Sequence, residues 1–422
     1  MCIRDRFLNV GGNMQRYIGT VVRGIRTPIV KSGDNLVDIV VDSLGKALES
    51  ENISMKDRDV VAVTESLVAR AQNNYVSVDD IACDINKKYD GEIGIVFPIL
   101  SRNRFSTILR GIAKSGKKIH FLFSYPSDEV GNSLMDPNLL YETKINPFTD
   151  VLEEKDYRRI FGEVVKHEFT GIDYVTLYKE ICGGNCDIHF SNDPKTILKY
   201  TDEVLVGSTH TRFSIKRLLK DEGAKVVLGL DDILTESING SGYNKDFGLL
   251  GSNFASESKL KLFPRDGEEF VNAVQKKLID KYNKEIEVMI YGDGAFKDPV
   301  GKIWELADPV VSPAHTKGLA GTPSELKIKY IADTDLKDMD TEHATAAMKE
   351  KISHKNKDLV GTDETLGTTP RRITDLLGSL CDLTSGSGDK GTPVVLIQGY
   401  FDNFATESVS YTHLTLPTTP YV

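Results

Sequence analysis

The run Val60-Val61-Ala62-Val63, with the polar residues Thr64-Glu65-Ser66 directly behind it, constrains the fold more than any other stretch. A wholly apolar, mostly β-branched segment of this length fits a strand covered on both faces. Ahead of it, Leu36, Ile39, Val40, Leu44 and Leu48 recur at helical spacing over 35–50, with Asp34 the expected cap. Residues 17–30 form an earlier strand-like run, broken by Gly24 and Pro28. Strand, helix and buried strand in succession predict a mixed α/β (α+β) chain, and in open α/β sheets ligands gather beyond the carboxyl ends of strands. Thr64, Glu65 and Arg70 are therefore candidate site residues; the competing reading is a strand end that caps the next helix.

A second strand end carries the chemistry most directly. Ile286, Val288 and Ile290 alternate with Glu287 and Met289, and the run stops at Gly292-Asp293-Gly294-Ala295-Phe296-Lys297-Asp298-Pro299. Glycines let a backbone turn tightly and approach a ligand, and Asp293 and Asp298 supply the hard oxygens that Mg²⁺ takes when it also holds phosphates. Glu305 and Asp308 would share a face of a short helix. An acidic surface loop with capping carboxylates is the alternative. Gly248-Leu-Leu-Gly251-Ser252-Asn253 is a glycine- and amide-rich segment of the kind that offers N–H groups to phosphates, but no GxxxxGK[ST] occurs, which excludes a P-loop.

Elsewhere the chain alternates helices and short strands, with strands expected at 93–99, 119–124, 226–230, 259–263 and 393–398. Arg102, Arg104 and Arg110 cluster in an otherwise acidic protein, and arginine forks suit carboxylate or phosphate. The texture turns polar over 125–225, read as a smaller inserted α/β unit. It contains His167 and the pair His210/Arg212, which could hold an anion. A charge of −10 argues against nucleic-acid or anionic-membrane partners, and no apolar stretch reaches the roughly 20 residues of a spanning helix. Five scattered cysteines point to a reducing, cytoplasmic setting, with Cys182 and Cys186 two thiols in a turn rather than a zinc knuckle. Residues 1–13 and 408–422 resemble translated adapter sequence, so the expected organisation is a first part at 14–124, the insertion at 125–225 and a second part at 226–407.

Several blocks, in order, resemble the coenzyme F-420 γ-glutamyl ligase family. The opening Gly24-Ile25-Arg26-Thr27-Pro28 and Gly33-Asp34-Asn35-Leu36 resemble its Gly-Ile-Pro…Gly-Asp-Asp-Leu, and Arg58–Ala71 follows its Gly-Asp-Val-Val-Val-Val-Thr-x-Lys-x-Val-Ser-Lys-Ala. Further on come Gly248–Asn253, Leu262–Asp266, the Asp293 loop, Asp375–Ser379 and Pro393–Gly399. Segment 125–225 has no counterpart in the short members, so the chain looks like a long bacterial branch. Three positions depart from the pattern: Leu250 stands at a metal aspartate, Ser66 at a lysine and Gln398 at an arginine.

The resemblance implies a two-part γ-glutamyl-ligase-like fold that dimerises, with the site between its parts. It implies a GTP- or ATP-dependent ligase that joins L-glutamate to a small-molecule carboxylate through an acyl phosphate, with Mg²⁺ or Mn²⁺. Asp293, Asp298 and Asp246 would hold metal, Gly251, Ser252, Asn253 and Thr64 would approach the nucleotide, and Arg70 and Arg104 would stabilise the transferring group. A folate-type γ-glutamyl ligase, a non-catalytic nucleotide- or metal-binding module and a metal-dependent phosphohydrolase are the rival readings.

Overall fold

The run at 60–63 lies inside a sheet, as its composition requires. The computed structural model describes residues 18–168, 170–292, 295–297, 304–306, 312–356, 359, 361–365, 371–385 and 389–406. Strands β1 (Val21–Ile25), β2 (Val60–Thr64), β12 (Glu287–Tyr291) and β15 (Val394–Gln398) form one sheet in the order β1-β15-β2-β12. β2 runs parallel to β12, with Thr64 opposite Tyr291, and antiparallel to β15. On one face Val61, Val63, Val288 and Ile290 pack with Val40 and Leu44 of helix Leu36–Ser50 and with Val271, Val274 and Leu278 of helix Gly267–Tyr282. On the other, Val60, Ala62, Met289 and Tyr291 meet Ile373, Leu377 and Cys381 of helix Ile373–Ser385. Helices on both faces explain why β2 has no polar residue before Thr64.

Two local expectations shift. The cap of helix Leu36–Ser50 is Asn35, whose Oδ1 accepts from Asp38 N at 3.3 Å; Asp34, one residue too early, accepts from Lys31 N at 2.7 Å and closes the preceding turn. The first strand is confined to Val21–Ile25; Pro28, beyond it, has no N–H to offer a ladder.

A second sheet contains β4 (Ile93–Val96), β5 (Ile119–Phe123), β6 (Leu152–Glu153), β7 (Cys186–Phe190), β8 (Glu203–Val206) and β9 (Val226–Gly229), ordered β6-β7-β5-β4-β8-β9. All neighbours are parallel except β6, which is antiparallel to β7. The first of these strands along the chain, β4, is central; β5 and β7 extend to one side of it, β8 and β9 to the other. Strands from both sides of residue 125 are thus direct neighbours in one doubly wound sheet. Phe121, Phe123, Phe190 and Tyr178 fill one face, while Leu122, Val204 and Val206 pack with Ile215 and Leu219 of helix Arg212–Asp221 on the other.

A smaller antiparallel sheet lies beside these, with β3 (Tyr75–Ser77), β10 (Ser252–Ser256) and β11 (Lys259–Leu262) in the order β10-β11-β3. It is pinned by Asn74, fully buried, whose Nδ2 donates to Tyr243 O at 3.0 Å and Phe263 O at 2.7 Å and whose Oδ1 accepts from Tyr243 N at 3.0 Å. Two short strands, β13 (Ala295–Lys297) and β14 (Trp304–Leu306), pair antiparallel. Cys182 and Cys186 are buried free thiols at a helix end and a strand start. Among the described residues no helix is long and apolar enough to cross a membrane.

Candidate functional site

Because β2 and β12 are parallel and in register to Thr64 and Tyr291, they end side by side. Glu65, the first residue of helix Glu65–Ala71, is only 5% exposed. Its Oε2 accepts from Thr64 Oγ1 at 3.0 Å, and its Oε1 accepts from the amide of Asn253 on β10. Gly292 ends the neighbouring strand, and a Cβ there would stand 2.7 Å from Glu65 Oε2, so glycine is what lets this carboxylate rest against the start of the acidic loop. Burial raises the Glu65 carboxyl above its ordinary range, opposed by the Thr64 hydrogen bond and the charge of Lys261.

Lys261 projects from β11 to the same place, and its Nζ donates to Ser66 Oγ. Burial lowers its pKa; the charge of Glu65 works against that shift and Arg70 adds to it. Among the described residues no carboxylate pairs directly with this ammonium. The result is a half-buried cation and a buried carboxylate side by side, with Asn253, Ser66 and Thr64 as neutral neighbours. Such a cluster can hold an oxyanion with Lys261 and take a proton with Glu65.

The other expected residues distribute unevenly. Thr64 and Asn253 belong to the cluster. Arg70 lies exposed in the last turn of helix Glu65–Ala71, near enough for its charge to act on Lys261. Ser252 is buried and donates its hydroxyl to Leu249 O at 2.7 Å. Gly251 is required by packing, since a Cβ would meet the Phe263 ring at 2.3 Å. Arg104 and Leu250 line a separate crevice. Asp246 is exposed in a turn where its own N–H donates to Asn244 Oδ1 at 3.0 Å. Asp293, Asp298 and Asp308 lie outside the described residues, as do the side chain of Glu305 and its burial. Asp231 is held by Arg212 at 2.9 Å and Lys216 at 3.5 Å, which engages the arginine expected to bind an anion. Gln398 is structural: it donates to Asp59 Oδ2 at 2.7 Å and to Ser54 O at 3.0 Å. Among the described residues no three His, Cys, Asp or Glu side chains converge as a metal site.

Lys261 is the residue that sequence reasoning missed. Lys259-Leu260-Lys261-Leu262 alternates, so a period of two puts both lysines on one face and separates neither. Pairing with β3, which sets Lys261 opposite Tyr75 beside helix Glu65–Ala71, buries one lysine and leaves Lys259 exposed. The Lys261 ammonium, carried on β11, thereby stands at the Ser66 hydroxyl of helix Glu65–Ala71.

No curated protein matches this chain. The family described as F420-0:gamma-glutamyl ligase matches residues 24–399, a span that includes the whole doubly wound sheet and every member of the Glu65–Lys261 cluster. The chain therefore belongs to the F420-0:gamma-glutamyl ligase family.

Proposed function

We propose that this γ-glutamyl ligase is nucleotide- and metal-dependent and joins L-glutamate to a small-molecule carboxylate through an acyl phosphate. The observation that carries the reading is the pairing of a buried, proton-accepting Glu65 with a half-buried Lys261 that has no carboxylate partner among the described residues. In the first step an acceptor carboxylate oxygen bonds to the γ-phosphorus of GTP or ATP, and the nucleoside diphosphate leaves. Lys261, with Arg70 behind it, stabilises the oxyanion charge of the transferring group. In the second step the glutamate nitrogen bonds to the acyl carbon, the carbon–oxygen bond to phosphate breaks, and inorganic phosphate departs. Glu65 receives the ammonium proton, and its raised pKa suits that role. The Asn253 amide and Thr64 hydroxyl hold the Glu65 carboxylate in place for the transfer.

Asp293 and Asp298, which follow Gly292 in the chain, would supply the hard oxygens that Mg²⁺ or Mn²⁺ takes. When bound, the ion shields phosphate charge. The test incubates the purified protein with Mg²⁺, GTP or ATP, L-glutamate and a small-molecule fraction of cell extract. Nucleotide turnover that needs both L-glutamate and the fraction, with a product one glutamyl residue heavier, supports the reading. Turnover indifferent to L-glutamate refutes it.

A further inference from the structure

Helix Tyr174–Ile181 stops at a tight reversal that leads straight into β7. Gly183 N–H donates to Glu180 O and Gly184 N–H to Lys179 O, each at 3.0 Å, and Asn185 N–H then donates to Cys182 O at 3.0 Å. Gly183 and Gly184 have φ of +59° and +78°, which a side chain would resist, so two successive glycines reverse the chain. The reversal brings Cys182, the helix cap, and Cys186, the first residue of β7, into one apolar core. Gly183, Gly184 and Asn185 between them are exposed, whereas the two cysteines are only 8% and 7% exposed.

The two thiols are hydrogen-bonded to each other, with Cys182 donating to the Cys186 sulfur. That bond holds the Cys186 thiol below its ordinary range; burial opposes the shift, and the charge of Lys179 in the last helical turn assists it. Cys182 is pushed up by donating the same bond and by burial. One sulfur is thus the better nucleophile and the other lies in contact with it, as an attacking and a resolving thiol do. A disulfide needs the sulfurs to close to about 2.05 Å. The turn has room to follow that movement, since a Cβ on Gly183 or Gly184 would meet nothing within 4 Å.

We propose that Cys182 and Cys186 form a reversible oxidation site, closed to an intramolecular disulfide by a hydroperoxide and reopened by a dithiol. The Cys186 sulfur attacks a peroxide oxygen, the O–O bond breaks, and the alcohol or water leaves, giving a sulfenic acid. Cys182 then gives up its proton and attacks the Cys186 sulfur; the S–O bond breaks and water departs. Two thiols and one hydroperoxide become one disulfide, one water and one alcohol, or two waters when the oxidant is hydrogen peroxide. The closed form ties the end of helix Tyr174–Ile181 to the start of β7. In a reducing setting it forms only under oxidative load, which makes it a change of state rather than a structural staple. The site is independent of the ligase reading.

The test uses the full chain, reduced and then freed of reductant, with hydrogen peroxide as the probe. Remaining thiols are alkylated in denaturant, and the chain is cut with trypsin, which leaves both cysteines on one peptide, Glu180–Lys195. The expected product is this peptide unalkylated and lighter by a pair of hydrogens. It should form at least about tenfold faster than Cys83 on helix Val78–Lys88 is oxidised, although Cys83 is the more exposed thiol. Dithiothreitol should restore alkylation at both positions. Cys182→Ser, which removes the resolving thiol, should leave a sulfenic acid at Cys186 that dimedone traps. Should that variant not fold, the peptide map of the unsubstituted chain decides alone. Both cysteines still alkylated after peroxide, Cys83 oxidised first, closure onto any other cysteine, or Cys182→Ser without a dimedone adduct each overturns the proposal.

Discussion

Replacing Lys261 with methionine separates a functional ammonium from a structural one. The side chain keeps an apolar stem of similar length, so packing against β3 and helix Glu65–Ala71 survives. The hydrogen bond to Ser66 and the charge beside Glu65 are lost. If the ammonium holds the oxyanion that develops in phosphoryl transfer, its removal costs about 10²–10³-fold in kcat/KM, roughly 3–4 kcal/mol, as loss of one preorganised donor does. Stability should move the other way. Burial lowers the Lys261 pKa from 10.5, so the unfolded chain binds the extra proton more readily, and wild-type stability rises with pH between the lowered value and 10.5. The methionine variant lacks that rise and should melt at or above the wild-type temperature at pH 7. The assay is nucleotide turnover dependent on L-glutamate, with thermal melts at pH 7 and pH 10, and Lys261→Arg as the charge-retaining control. Full turnover in Lys261→Met refutes the oxyanion role. A fall in Tm of about 2 °C or more at pH 7, roughly 2 kcal/mol in a chain of this size, refutes the claim that its burial is unfavourable.

Glu65→Gln should lower kcat about 10²-fold and remove the acidic limb of the wild-type pH–rate profile, because protonation of Glu65 silences the base as pH falls through its raised pKa. That raised pKa also stabilises the fold below the ordinary glutamate value and ceases to do so as pH rises through it, so the glutamine variant should equal or exceed wild-type stability at pH 7 in urea titrations. Asn74→Ala removes one buried and two part-buried hydrogen bonds and orphans their backbone partners, a loss of roughly 3–5 kcal/mol in the urea-unfolding free energy; a loss under about 1 kcal/mol would show that the clamp is dispensable. Asp293→Asn should lower metal-dependent nucleotide turnover about 10²-fold or more with Tm unchanged, and unfolding instead would mark that residue as a structural cap.

Most of the fold's parts are legible in the chain because their signals are local. The apolar run at 60–63 demands cover on both faces, and helical spacing at 36–48 demands one buried stripe; the stripe covers one face of the run, and helix Ile373–Ser385 covers the other. Cap identity was less secure, since Asp34 and Asn35 are both good capping residues and only the exact start of the helix chooses between them. The residues of 125–225 read as a separate insertion because their strands are short and polar loops divide them. Parallel pairing with β4 and β5 is a long-range event that leaves no local mark.

The candidate site divides along the same line. Sequence by itself determined the family, the α/β class, the strand ends at Thr64 and Gly292, and Asn253 as a polar group worth following. Each of these depends on residue type and on neighbours within a few positions. Tertiary structure alone decided that Asn253 serves Glu65 while Ser252 is spent on Leu249, and that Arg212 is taken by Asp231. It also decided that a lysine from β11 stands at Ser66, and that Arg104 faces a second crevice. In each case the partner lies at least fifteen residues away or on another face of the same loop. Side-chain period can say which residues share a face, but only sheet order and register say what that face meets.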